Sequence, residues 1–77
     1  MHSESLKLLI TFPTISDAIA LEKYCHLHNI PGRLIPTPRK YSSGCGHAWC
    51  TELDYREDII QLMDKYQIDY DGIYEYI

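Results

Sequence analysis

The first pattern along the chain is an alternation of apolar and polar positions. In Leu6-Lys7-Leu8-Leu9-Ile10-Thr11-Phe12, the side chains of Leu6, Leu8, Ile10 and Phe12 fall on one side, which predicts a strand with a strongly apolar face. Leu9 makes the other side partly apolar, as suits a central strand. Pro13 ends the run. Thr14-x-x-Asp17 then reads as a capping box, the threonine oxygen and the aspartate carboxylate each meeting backbone N–H groups of a first helical turn. Ala18, Leu21 and Cys25 recur at i, i+3 and i+7, a modest inward stripe that assigns Cys25 to the core. Asn29 tolerates the left-handed conformation that a helix stop needs, and Ile30-Pro31 follows it.

Gly32 to Thr37 reads as a second strand, and because Pro36 cannot donate to a ladder the strand belongs at an edge. Pro38 to Gly46 is loop. His47-Ala48-Trp49-Cys50-Thr51 carries the aromatic and β-branched types that fit a third strand. Asp54-x-x-Glu57 is a second capping box, and Ile59, Leu62, Met63 and Tyr66 give the clearest helical stripe in the chain. Tyr70 to Ile77 closes as a strand, with Tyr74 and Tyr76 on one face, Ile73 and Ile77 on the other, and Gly72 marking a bulge or the strand's start.

The order strand–helix–strand–strand–helix–strand predicts an α+β fold, the ferredoxin-like βαββαβ two-layer sandwich. Right-handed crossovers put both helices on one face of an antiparallel sheet and leave the other open. The sequence has no repeat, linker or low-complexity tract, so residues 1–77 are expected to form one domain. Such a small core implies stability of roughly a few kcal/mol, so a partner or a weak homodimer would help a chain that could equally stay monomeric.

Composition narrows the picture. With 45% hydrophobic and 23% charged residues the chain is expected to fold. No apolar run approaches the roughly 20 residues that span a bilayer, and Met1-His2-Ser3-Glu4 lacks the features of a signal peptide. Three cysteines cannot all pair within one molecule, so reduced thiols in the cytoplasm are expected. The net charge of −4 argues against nucleic-acid binding, and no membrane contact is expected. The charge is unevenly spread, however. Between Lys23 and Thr51 there is no Asp or Glu, while Lys23, Arg33, Arg39 and Lys40 lie there with His26, His28 and His47.

Within that segment, Cys45 stands between Gly44 and Gly46 behind Arg39, Lys40, Ser42 and Ser43. Core positions want volume, and this string supplies backbone freedom and access instead. A thiol reacts through its thiolate, which nearby positive charge or backbone N–H donors favour. Arg39 and Lys40 offer charge, and Gly44 and Gly46 let successive N–H groups turn toward an anion. Ser42 and Ser43 could donate to a persulfide or selenide. Cys50, in the third strand on the same side as Ala48, is expected to be packed, with a resolving-thiol role for Cys45 as the alternative. Cys45, His47 and Cys50 with His26 or His28 lack the Cys-x-x-Cys pairing of structural zinc, so no metal and no cofactor is expected. His2, His26 and His28 read as solvent-exposed. Tyr70, Tyr74 and Tyr76 are either sheet residues with surface hydroxyls or a docking patch on the open face.

Ile30-Pro31 leading into Leu34-Ile35-Pro36-Thr37-Pro38-Arg39, followed by Ser42-Ser43-Gly44-Cys45-Gly46, resembles small bacterial domains of the selenium/sulfur carrier protein-like family. Ile10-Thr11-Phe12-Pro13-Thr14 with Ala18 and Glu22, and Tyr70-Asp71-Gly72-Ile73-Tyr74-Glu75, are similar to the family's two ends. The Pro-Arg-x-x-Ser-Ser-x-Cys-Gly string, complete from Pro38 to Gly46, is the most specific part. The resemblance implies an accessory protein of selenium or sulfur metabolism. Cys45 would be the carrier thiol, and Arg39, Ser42, Ser43 and Gly46 its surrounding loop; Cys50 and His47 lie outside the pattern.

The leading expectation is thus a carrier in which Cys45 holds a persulfide or selenopersulfide between donor and acceptor proteins. No paired carboxylates, Ser–His–Asp order or phosphate loop support an independent enzyme. The alternatives are a non-catalytic regulatory or protein-interaction module that binds through its tyrosine face, and a small redox protein that cycles a Cys45–Cys50 bond.

Overall fold

A strand with both faces covered organises the molecule. In the computed structural model, which describes residues 6–41 and 44–76, β1 (Lys7–Thr11) is followed by α1 (Ile15–Leu27), β2 (Arg33–Pro36) and β3 (His47–Glu52). A 3₁₀ turn (Leu53–Tyr55) leads into α2 (Arg56–Tyr66), and β4 (Gly72–Tyr76) closes the chain. Ser42, Ser43, Ile77 and His2, all named above, lie outside the described residues. The fold is α+β: a four-stranded antiparallel sheet in the order β2-β3-β1-β4, with two helices. Pro36 indeed lies on an edge strand, where its missing N–H leaves no ladder bond unmade. Among the described residues, no helix is long and apolar enough to cross a membrane.

Leu8 and Ile10 of β1, with Phe12 just beyond it, meet Ala18, Leu21 and Cys25 of α1 and Ile59, Leu62 and Met63 of α2 in one core. Both helices therefore lie on the same face, as right-handed crossovers require. Trp49 and Ile68 complete this cluster. The second face differs from expectation. Leu9, Thr11 and Ala48 lie on it and are fully buried, and the ring of Tyr41, from the β2–β3 loop, packs on Tyr74 with centroids 4.5 Å apart. The Tyr41 hydroxyl also donates to the Glu75 carbonyl at 3.5 Å. The sheet is partly roofed here because an aromatic ring set in a polar loop gains more by packing on another ring than by facing water.

The helix ends show which sequence signals carry weight. Thr14 caps α1 as expected, accepting from the Asp17 N–H at 3.3 Å, but its hydroxyl donates to the Asp17 carboxylate at 2.7 Å. The second carboxylate oxygen accepts from the Asp69 N–H at 3.4 Å, tying α1 to the segment before β4. The second capping box does not form. The chain leaves β3 through the 3₁₀ turn, which packs Leu53 and Tyr55 on the core, and α2 begins at Arg56 without a side-chain cap. Tyr55, at φ −96 and ψ 9, is not in the extended conformation in which a capping residue delivers its side chain. Both helices stop alike. Asn29 (φ 60) and Gln67 (φ 58) are left-handed, and Ile30 and Ile68 donate five residues back, to Cys25 at 2.8 Å and Met63 at 2.9 Å.

Cys25 is fully buried, and burial pushes its thiol up to about 12. Above the ordinary thiol range the unfolded chain releases a proton that the folded chain keeps. This contribution to stability is thus intact below about pH 9 and is lost as pH rises toward 12. Cys25→Ala should be less stable than the parent by about 1–2 kcal/mol at pH 7. Urea titrations at several pH values should show that gap narrowing from pH 9 upward. A gap independent of pH would mean that Cys25 is not held as a buried neutral thiol.

Candidate functional site

The loop between β2 and β3 is held at its base by the Thr37 N–H donating to the Gly46 carbonyl at 3.0 Å. A turn within it is closed by Tyr41 N–H to Pro38 C=O at 2.9 Å. From there the loop straddles the sheet. Tyr41 packs on Tyr74 on one side, while Cys45 is half-buried and packs against the core beneath the helices on the other. Gly44 passes so close to the Pro13 carbonyl that a Cβ there would collide with backbone. Pro13 directly precedes the Thr14 cap, so Cys45 is set beside the start of α1.

The sulfur of Cys45 is held by backbone rather than by charged side chains. Its thiol donates to the His47 carbonyl at 3.2 Å, and the His47 N–H approaches the sulfur at 3.4 Å. Gly46, with φ 77, provides the turn that folds His47's peptide back on the sulfur. A thiolate would lose the bond to the carbonyl and keep the one from the N–H. The His47 imidazole is 3.4 Å from the Cys45 carbonyl oxygen through Nδ1, which fixes the ring on the backbone rather than as a base on the sulfur.

The other singled-out residues fall elsewhere. Arg39 and Lys40 are exposed at the loop's outer edge, Lys40 5.6 Å from the centre of the Tyr41 ring. Ser42 and Ser43 lie outside the described residues, so the structure places Gly44, Cys45 and Gly46 together without them. Cys50 is half-buried in β3, opposite Leu9 and Arg33, on the face away from the helices. Burial raises its thiol, and Lys7 and Arg33 partly offset this. Cys45 packs on the core under the helices whereas Cys50, paired with Leu9, faces the other side of the sheet, so the structure does not bring the two thiols together. All three cysteines are free.

Two members of the site, Pro13 and Tyr41, were not anticipated from the sequence. Pro13 reads as a strand terminator, and only the folded chain brings its carbonyl against Gly44. Tyr41 carried a usable signal, since a large aromatic ring inside a Ser- and Gly-rich loop calls for a packing partner. His26 and His28 are exposed as expected, His28 being 2.9 Å from the Tyr66 hydroxyl. No group of metal-ligating side chains gathers among the described residues.

The family described as Putative Se/S carrier protein-like matches residues 7–75, nearly the whole chain, and the protein belongs to it. No curated protein matches the chain. No solved structure matches it either.

A Cβ at Gly46 would meet nothing within 4 Å, so any penalty there is torsional rather than steric. Gly46→Val should lower stability by about 1–2 kcal/mol and change the alkylation rate of Cys45 as the His47 N–H swings away. Gly46→Asn, which tolerates a positive φ, should stay close to the parent in both. Equal effects of the two substitutions, read by urea denaturation and by the alkylation rate of Cys45, would discard the backbone-turn account.

Proposed function

We propose that this chain, as a member of the Putative Se/S carrier protein-like family, carries sulfur or selenium on Cys45 and passes it between proteins. The observation behind this reading is the contrast among its thiols. Cys25 is sealed in the core and Cys50 sits within a strand, whereas Cys45 is half-buried in a loop between two glycines with a backbone N–H at its sulfur. Half-burial suits a carrier, because the sulfur must be reached by a donor and yet shielded between encounters.

The step balances without an outside oxidant. The Cys45 thiolate attacks the outer sulfur of a donor persulfide, forming Cys45–S–SH as the donor's S–S bond breaks and leaves a thiol. A selenopersulfide donor gives Cys45–S–SeH by the same exchange. An acceptor thiol attacking the outer atom reverses the process and restores Cys45. Arg39 and Lys40 form a positive rim that favours the anionic persulfide, Ser42 and Ser43 supply donors to it, and Gly44 and Gly46 shape the turn. The scheme needs no resolving thiol, and Cys50 lies on the other face of the sheet from Cys45.

We read the architecture as ferredoxin-like, one domain over residues 1–77, because the order β2-β3-β1-β4 with both helices on one core is that of a βαββαβ sandwich. Donor and acceptor proteins are the partners, and a reducing compartment, the cytoplasm, suits three free thiols. The interaction-module reading has less behind it, since Tyr74, one of the three tyrosines of its docking patch, is already engaged by Tyr41.

Intact-mass spectra after exposure to a small persulfide donor test the proposal. The parent should gain a sulfur that fragmentation locates on Cys45. Cys45→Ser should gain none while keeping its melting temperature within a few degrees, because a half-exposed loop residue contributes little to stability. Loading that survives in Cys45→Ser, or a collapse of that variant's stability, would return Cys45 to a structural role.

A further inference from the structure

The two edges of the sheet differ in what they offer to another strand. Thr37 faces Gly46 where the β2–β3 register runs on into the loop, and its N–H donates to the Gly46 carbonyl. Hydrogen-bonded and non-hydrogen-bonded positions alternate in an antiparallel pair. Arg33 and Ile35 therefore bond to Cys50 and Ala48, while Leu34 and Pro36 turn their backbone groups outward. Pro36 has no N–H, so Leu34 is the one outward donor of β2.

The same alternation, carried across the sheet, fixes the other edge. Trp49 and Thr51 bond to Ile10 and Leu8, so Leu9 and Thr11 bond to Tyr74 and Gly72. Ile73 and Glu75 thus direct their N–H groups and carbonyls away from β1. The contact from the Tyr41 hydroxyl agrees, because it reaches a Glu75 carbonyl that is not spent on the ladder. That contact is long, at 3.5 Å, and a carbonyl has a second lone pair to offer. Among the described residues no strand lies beyond β4. Edge strands are ordinarily blunted by lysine, proline or a bulge. The sequence of β4, Gly-Ile-Tyr-Glu-Tyr, has neither residue, and its register with β1 is unbroken. The Tyr74 ring lies back along the strand, its hydroxyl where a Cβ on Gly72 would stand, and so leaves the edge clear.

We propose that β4 pairs with β4 of a second copy of this chain, antiparallel about a two-fold axis at Tyr74, so that the two sheets become one. Ile73 of each chain then faces Glu75 of the other and exchanges both backbone hydrogen bonds with it. Tyr74, still 37% exposed, meets its counterpart at the closely spaced, non-hydrogen-bonded position, where aromatic pairs add cohesion. The strand's own sequence fits this edge because the outward groups are symmetric about Tyr74. Each Glu75 also lands opposite Ile73 rather than opposite the other Glu75. Asp71 and Glu75 still bring negative charge to both sides, so the dimer is weak and added salt strengthens it. The pairing does not depend on the carrier reading.

Sedimentation of the full chain over a concentration series tests this, with backbone amide exchange followed in parallel. A monomer–dimer equilibrium that salt shifts toward dimer is expected. Exchange at Ile73 and Glu75 should slow as concentration rises, while exchange at Leu34 stays constant. Glu75→Pro removes one outward N–H per chain and should weaken association at least about tenfold while keeping the native circular dichroism, since an outward position tolerates proline. Glu75→Gln keeps that N–H and should associate at least as tightly as the parent. If Glu75→Pro fails to fold, the concentration dependence of exchange at Ile73 and Glu75 in the parent decides. A chain that stays monomeric at every concentration and salt, a folded Glu75→Pro that dimerises like the parent, or a dimer that protects Leu34 instead would overturn the proposal.

Discussion

The burial of β1 on both faces from Leu8 to Thr11 is the constraint from which the other features follow. Leu8, Ile10 and Phe12 leave water on one face, and Leu9 and Thr11 do so on the other. At roughly 25 cal/mol per Å² of apolar surface, a strand shielded on both sides is the strongest cohesive element that a chain of this size can build. Its ladders to β3 and β4 satisfy its backbone, and both helices need its first face to bury their own stripes.

The position of Cys45 is a consequence of that arrangement. β1 ends at Pro13, and the loop that returns from the edge strand lays Gly44 on the Pro13 backbone. The next residue is thereby brought against the core without being enclosed by it. Gly46 then turns the chain into β3, so that the peptide of His47 meets the sulfur from behind. Tyr41 pins the same loop to the opposite face. A thiol on a long hairpin loop would otherwise have no fixed surroundings.

Much of the fold was legible because it rests on periodicity. The alternation from Leu8 to Phe12, the stripe from Ile59 to Tyr66 and the edge-marking Pro36 each report a local geometry that tertiary packing reinforced, although Leu6, expected on the same apolar face, is exposed. Signals with a competitor fared less well. Asp54 and Glu57 have capping spacing, but packing of Leu53 and Tyr55 on the core set the start of α2 instead. Gln67 stops a helix in the left-handed conformation with no composition cue, because burial of the next residue, Ile68, holds it there. At the site, the glycine-framed setting of Cys45 could be read from Gly44 and Gly46. Its contacts with Pro13 and the His47 backbone could not, since they depend on how a distant strand end meets the loop.

Transfer, rather than binding, is what separates a carrier thiol from one that is merely accessible. The most direct test loads the chain with isotopically labelled sulfane sulfur from a small persulfide, removes the excess donor, and adds an acceptor thiol. The account predicts a single labelled sulfur on Cys45 that survives the separation step and then moves to the acceptor, leaving a free thiol. Label found on Cys25 or Cys50, or a Cys45 persulfide that never passes to the acceptor, would contradict it.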